Sequence, residues 1–181
     1  AGRLGVDRIF LRLANDCLYH EAVRDAGFSF YTREFLYCLD KRSEPGSTID
    51  LTNEQLFPAS SANEDNIFQL YNSSVPMNVR RVEGQTLDDW RESRESGRGR
   101  KSGLEYLYSR GGKISGWMYI SGNDEHAILD LVVRQEDPNE AAYKLMHATE
   151  SLLDRYAVVW CLLSEFQQPL MRILEHRGFR L

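Results

Sequence analysis

Two carboxylates on strand-like segments, Glu105 and Asp130, are the residues of this sequence best placed to move a proton. A carboxylate acts as a general base near neutral pH when burial raises its pKa; a solvated strand position is the plainer alternative for both. His20, His126, His147 and His176 are dispersed, and none pairs with cysteine or carboxylate at metal-ligand spacing, so no metal is expected. His126 and Asp130 share a strand face, but at the usual rise they stand about 13 Å apart, too far to pair directly. There is no Gly-x-Ser-x-Gly elbow, and none of Cys17, Cys38 and Cys161 has an evident base beside it. Hydrolytic and redox chemistry therefore rank low.

The composition narrows the partners. A net charge of −5 over 181 residues disfavours a nucleic-acid or anionic-membrane binder, because phosphate contact needs surplus Lys and Arg. Trp90, Trp117 and Trp160 scatter over predicted helices and strands, as core and rim residues do, rather than forming a base-stacking platform. No apolar run approaches the roughly 20 residues that cross a bilayer, and the first residues lack a signal-peptide apolar region. Three widely spaced cysteines read as thiols of a reducing compartment, which makes the cytoplasm the expected location. The chain opens on Ala1, as a fragment or processed product would.

The elements that must position the carboxylates follow from periodicity. Residues 7–13 predict a strand, and 17–26 a helix burying Leu18, Ala22 and Val23 and stopped by Gly27. Phe28 to Cys38 predicts another strand, and the polar stretch 40–65 a linker. Ile67, Leu70 and Tyr71 share a helical face, and Pro76 starts a further turn. Arg110-Gly111-Gly112-Lys113 signals a hairpin between strands at 104–108 and 114–120. Ala127 to Val133 is apolar enough for a central strand. Asp137-Pro138-Asn139-Glu140 opens a helix, with Asp137 as N-cap and Ala141, Leu145, Ala148, Thr149 and Leu152 on its apolar face. A strand at 158–163 and a helix ending near Arg177 close the chain. The fold class predicted is α/β, a mixed central sheet flanked by helices.

The two ends of the chain also match in pattern. Arg8 to Leu13 followed by a helix and Gly27-Phe28 parallels Val159 to Leu163 followed by a helix and Gly178-Phe179, 151 positions later.

This element order, the stretch Phe68-Gln69-Leu70-Tyr71-Asn72 to Trp90 and the twice-used helix-Gly-Phe ending resemble the GNAT N-acetyltransferase superfamily, in its tandem form. The resemblance implies that residues 1–39 close a first GNAT-like domain, 40–65 link, and 66–181 form most of a second lacking its last strand. Phe28 to Cys38 would then pack beside that second domain, across the open edge. It implies transfer of acetyl from acetyl-CoA to the amine of a small molecule or protein; it assigns no catalytic residue, and Glu105 or Asp130 would serve as base only if buried with a raised pKa. Leu131, Val132 and Val133 would bind the pantetheine arm, and Arg134, Asn139, Glu140 and Ala141 the diphosphate at a helix N-terminus.

The chain departs from the family pattern at three places. Where the family carries a glycine loop, this sequence has Arg134-Gln135-Glu136-Asp137-Pro138, with no glycine and one N–H donor fewer at Pro138. Glu136, Asp137 and Glu140 would each repel a diphosphate charge by about 2–3 kcal/mol at roughly 6 Å and an effective dielectric near 20, which Arg134 offsets only in part. The family's tyrosine proton donor falls at Leu174, and at Val23 in the first copy; Ser164 is a shifted alternative. Arg94-Glu95-Ser96-Gly97-Arg98-Gly99 spells the cofactor pattern but lacks its strand–turn–helix setting, and predicts a surface loop. The alternative function is an inert GNAT-like structural or interaction module, partnered by a protein or a second GNAT domain.

Overall fold

The computed structural model describes residues 8–40, 56–91, 103–123, 125–136, 138–153 and 155–181, the side chains of 148–152 excepted. The chain divides into two compact units, Ala1–Tyr31 and Thr32–Leu181. The first holds one short helix, α1 (His20–Asp25), with no buried residue. The strand predicted over 7–13 does not form: residues 8–13 have no regular structure, and Ile9, Phe10 and Leu11 are exposed. An apolar run becomes a strand only beside a partner, and among the described residues this unit has none. Leu18, predicted to be buried, is 94% exposed, because so short a unit has no core to receive it. The helix stop is as predicted. Gly27 takes φ +92°, Phe28 N–H donates to Val23 O and Gly27 N–H to Arg24 O, the two bonds of a Schellman cap.

The second unit is built on a six-stranded mixed sheet in the order β1-β6-β5-β4-β3-β2, its strands being β1 (Glu34–Asp40), β2 (Leu56–Pro58), β3 (Leu104–Arg110), β4 (Lys113–Gly122), β5 (His126–Val133) and β6 (Val158–Ser164). All neighbours pair antiparallel except β5 and β6. The predicted hairpin joins β3 to β4 through Gly111 and Gly112, at φ +56° and +77°; only glycine takes two such residues in succession cheaply. The polar stretch 40–65 is not linker throughout: residues 41–55 lie outside the described residues, but β2 pairs with β3 at the sheet edge. Pro58, with no N–H to donate, is tolerated there because an edge strand needs only one side of its ladder.

Helix α2 (Glu64–Ser74) packs Ile67 and Leu70 against Leu107, Trp117, Tyr119 and Trp90 on one face of the sheet, and the short α3 (Met77–Glu83) follows it. Helices α4 (Pro138–Leu153) and α5 (Gln168–His176) cover the other face, burying Met118, Leu129, Leu131, Leu145, Leu170 and Leu174. Strand β5 is central, as predicted, yet its burial alternates and Ile128 is 57% exposed, because α2 covers only part of its face. Strand β1 pairs with β6, Tyr37 opposite Cys161, as expected of a strand lying across the open edge; it begins at Glu34 rather than Phe28. Cys38 and Arg180 exchange backbone hydrogen bonds beside it. Gly178 (φ +86°) and Phe179 close α5 with the same pair of bonds as Gly27 and Phe28, to Glu175 O and Leu174 O.

Candidate functional site

Strands β5 and β6 run side by side from His126/Val158 to Leu129/Cys161 and then stop pairing, although β5 continues to Val133 and β6 to Ser164. In an antiparallel pair, successive residues alternate the neighbour their backbone groups face. Arg134 N–H donates to Ser115 O at 2.9 Å, on the β4 side, so Leu131 and Val133 turn their backbone groups toward the split. Leu131 O accepts a hydrogen bond from Gln167 Nε2 at 3.2 Å, and Gln167 Oε1 accepts one from Ser164 N–H at 2.8 Å. The Gln167 carboxamide therefore bridges the parted strands. Nothing in its neighbourhood in sequence announces this. The Ser164-x-x-Gln167 spacing lets the side chain turn back to Ser164 N–H, but it gives no sign of the reach to Leu131.

The predicted diphosphate residues are only partly brought together. A cavity of about 180 Å³ opens where the β3–β4 hairpin meets the first turn of α4, and Arg134, Glu140 and Ala141 line it; Asn139 does not. Pro138 stands first in α4, and the N-cap assigned to Asp137 lies outside the described residues, as does the Arg94–Gly99 loop. The sum of repulsions read from the sequence omitted the hairpin. Arg110 Nη1 lies 2.8 Å from Glu140 Oε2, and the buried Tyr108 donates its hydroxyl to Glu140 Oε1 at 3.0 Å. Glu140 is thus an engaged carboxylate, and Arg110, Lys113 and Arg134 outnumber Glu136 and Glu140 around the cavity. Burial, reinforced by Glu140, pushes the Tyr108 phenol above its ordinary value, so it remains a donor. Arg134 Nη2 donates to Ile114 O at 3.1 Å, which ties the end of β5 to the start of β4.

Glu105 and Asp130 share one face of the sheet. They flank Tyr119 in register, Glu105 on β3 and Asp130 on β5. Trp117 Nε1 donates to Glu105 Oε1. Asp130 is the first residue beyond the last β5–β6 pair, at the apex of the split and on the face opposite α4 and α5. Beneath it, burial and then the Asp130 charge push the Cys161 thiol up, which makes it inert as a nucleophile. Leu174, where the resemblance would put a tyrosine, is fully buried in the core. Among the described residues no three His, Cys, Asp or Glu side chains converge. No described helix is long and apolar enough to cross a membrane.

A different tyrosine is buried near α5. Tyr37 donates to Glu175 Oε1 at 2.8 Å, and burial, then Glu175, push its phenol up to about 12. Between about pH 10 and 12 the unfolded chain loses this proton and the folded chain keeps it, so stability falls as pH rises through that window. Urea midpoints measured across it should fall less steeply in Tyr37→Phe; equal slopes would mean the phenol titrates alike in both states.

No protein-family model and no curated protein matches the sequence. Solved structures do match. A conserved protein of unknown function from Staphylococcus epidermidis is 12% identical, with a TM-score of 0.58 over 94% of this chain and 64% of its own. A tandem GNAT protein from the clavulanic acid biosynthesis pathway, solved without acetyl-CoA, is 16% identical, with a TM-score of 0.53 over 90% of this chain and 55% of its own. A GNAT-family acetyltransferase from Colwellia psychrerythraea is 15% identical, with a TM-score of 0.53 over 90% and 58%. The chain spans less than two thirds of the length of each of these proteins. At such identities the likeness is one of architecture, and it agrees with the mixed sheet and its flanking helices: this chain has the fold of the GNAT acetyltransferases.

Proposed function

We propose that this chain binds an acyl-CoA thioester, acetyl-CoA in the first instance, along the β5–β6 split and passes its acyl group to an amine. The observation that carries the reading is the end of pairing at Leu129/Cys161, which leaves Leu131 and Val133 directing backbone groups into a gap wide enough for a side-chain amide. A linear chain with amides can hydrogen-bond there as an added strand would. Val132 faces the α2 side. The diphosphate would lie at the first turn of α4, near Asn139 and Ala141, with Glu140 neutralised by Arg110 and with Arg134 and Lys113 adding positive charge. The amine would approach on the opposite face, where Asp130 takes its proton as nitrogen attacks the thioester carbonyl. The carbon–sulfur bond breaks, and the thiolate collects a proton from solvent, since Leu174 supplies none.

Calorimetry with coenzyme A, and transfer from acetyl-CoA to a panel of amines, test this. Micromolar binding with amine-dependent thiol release is the expected result, and silence at millimolar coenzyme overturns it. A second reading, a GNAT-fold domain that supports a partner domain without transferring acyl groups, is favoured by Leu174 filling the tyrosine's position in the core. On either reading, residues 1–39 are proposed as the closing part of a preceding domain, and a soluble, cytoplasmic protein acting on a small-molecule or protein amine is proposed with them.

A further inference from the structure

We infer that Gln167 is a built-in competitor for the split: its carboxamide occupies the place of a ligand amide, and a ligand must displace it. The inference rests on the coenzyme reading above. Two opposite hydrogen-bonding groups face each other across the parted strands, the acceptor Leu131 O on β5 and the donor Ser164 N–H on β6. A single planar amide satisfies both, through its N–H and its C=O, and Gln167 does so from the residue just before α5. The arrangement fits amide-bearing chains: an ester lacks the donor for Leu131 O and can meet Ser164 N–H alone, and an alkyl chain meets neither.

The bond to Leu131 is not needed for the local turn. Gln167 N–H already donates to Ser164 O at 2.8 Å, closing the turn between β6 and α5 through the backbone. The side chain's reach across to β5 is therefore separable from folding of the turn. Its presence also keeps Leu131 O from being a buried acceptor without a partner while the split holds no ligand. Ligand binding must break both of its bonds before its own amide can replace them, and the exchange costs affinity.

The test compares the full chain with Gln167→Ala and with Gln167→Asn, which keeps the amide but is one methylene too short to span the gap. Coenzyme A and the coenzyme's adenosine bisphosphate half, which carries no amide, are the two probes, read by calorimetry. Both variants should bind coenzyme A about fivefold more tightly than the parent chain, the equivalent of one net hydrogen bond at about 1 kcal/mol, and the nucleotide half equally. Exchange of the Ser164 amide proton, followed by NMR without ligand, should quicken in both variants. Equal or weaker coenzyme binding by the variants overturns the role of Gln167 while leaving the coenzyme reading in place. A gain that appears equally with the nucleotide half also overturns it, since the amide would not be what is recognised. Silence from all three proteins at millimolar coenzyme overturns both the coenzyme reading and the competitor.

Discussion

Leu145→Ala will lower the unfolding free energy by about 2–5 kcal/mol, the range for emptying a fully buried leucine site. Leu145 has no exposed surface and packs on β4 at Gly116. Opposite it is Gly116, at which a Cβ would lie 2.6 Å from Leu145 Cδ1 and 3.5 Å from Ala141 Cβ. The glycine is there for space rather than for backbone conformation, since its φ is not positive. Removing the leucine leaves a void that the sheet and α4 cannot close, because both are fixed by neighbours on either side. For a unit whose total stability is of the order of 5–15 kcal/mol, that loss is large. Urea unfolding with the transition slope unchanged is the measurement. Adding Gly116→Ala should recover part of the loss by placing a methyl in the void, whereas alone it should destabilise by overpacking. If the two changes simply add, the contact between α4 and β4 does not set the position of the helix. The functional consequence follows from the same contact: Ala141 lies one turn before Leu145 and faces the same glycine, so the leucine holds the first turn of α4, with Glu140, against Arg110 and Tyr108.

The local signals in this sequence were legible and the distant ones were not. Both helix-Gly-Phe endings form Schellman caps, with Phe28 bonding back to Val23 and Phe179 to Leu174. A cap depends on about six consecutive residues, which is why the pattern could be read at both ends. It is also why the pattern says little about descent: any helix stopped by glycine and anchored by a following apolar residue closes this way. The strand at Val158–Ser164 formed and its counterpart at 8–13 did not, because a strand needs a partner that the run itself does not specify. Strand β2 was hidden by the polar residues and proline around it, and only the exposed edge of β3 explains it. The same limit applies to the site. Glu140 reads as a repelling charge until the β3–β4 hairpin brings Arg110 to it, and Gln167 reads as an ordinary polar residue until β5 and β6 part. Backbone order gave the fold class; the charges and plugs of the site come from pairings between elements.

Asp130→Asn is expected to lower acyl transfer by about 10²–10⁴-fold, the usual contribution of a positioned general base, with coenzyme affinity unchanged. The separation of the two effects comes from the alternation of β5. Leu129 and Leu131 point into the core beneath α4 and α5, while Asp130 between them faces the other side of the sheet. The coenzyme would be held by backbone groups in the plane of the sheet, which the substitution does not touch. Asparagine keeps the size and much of the hydrogen-bonding capacity of aspartate but cannot accept the amine proton near neutral pH. Glu105→Gln is the matched comparison: it shares the face and the register row through Tyr119, yet it stands two strands away and its carboxylate is held by Trp117 Nε1. Its transfer rate should fall less than tenfold. Steady-state rates at saturating coenzyme, beside calorimetric affinities for each variant, distinguish the roles. A large loss in Glu105→Gln with none in Asp130→Asn would place the base on β3 and remove the apex of the split from the chemistry. A loss of coenzyme binding in Asp130→Asn would instead mean that the carboxylate supports the shape of the split, for which its proximity to the buried Cys161 is the structural route.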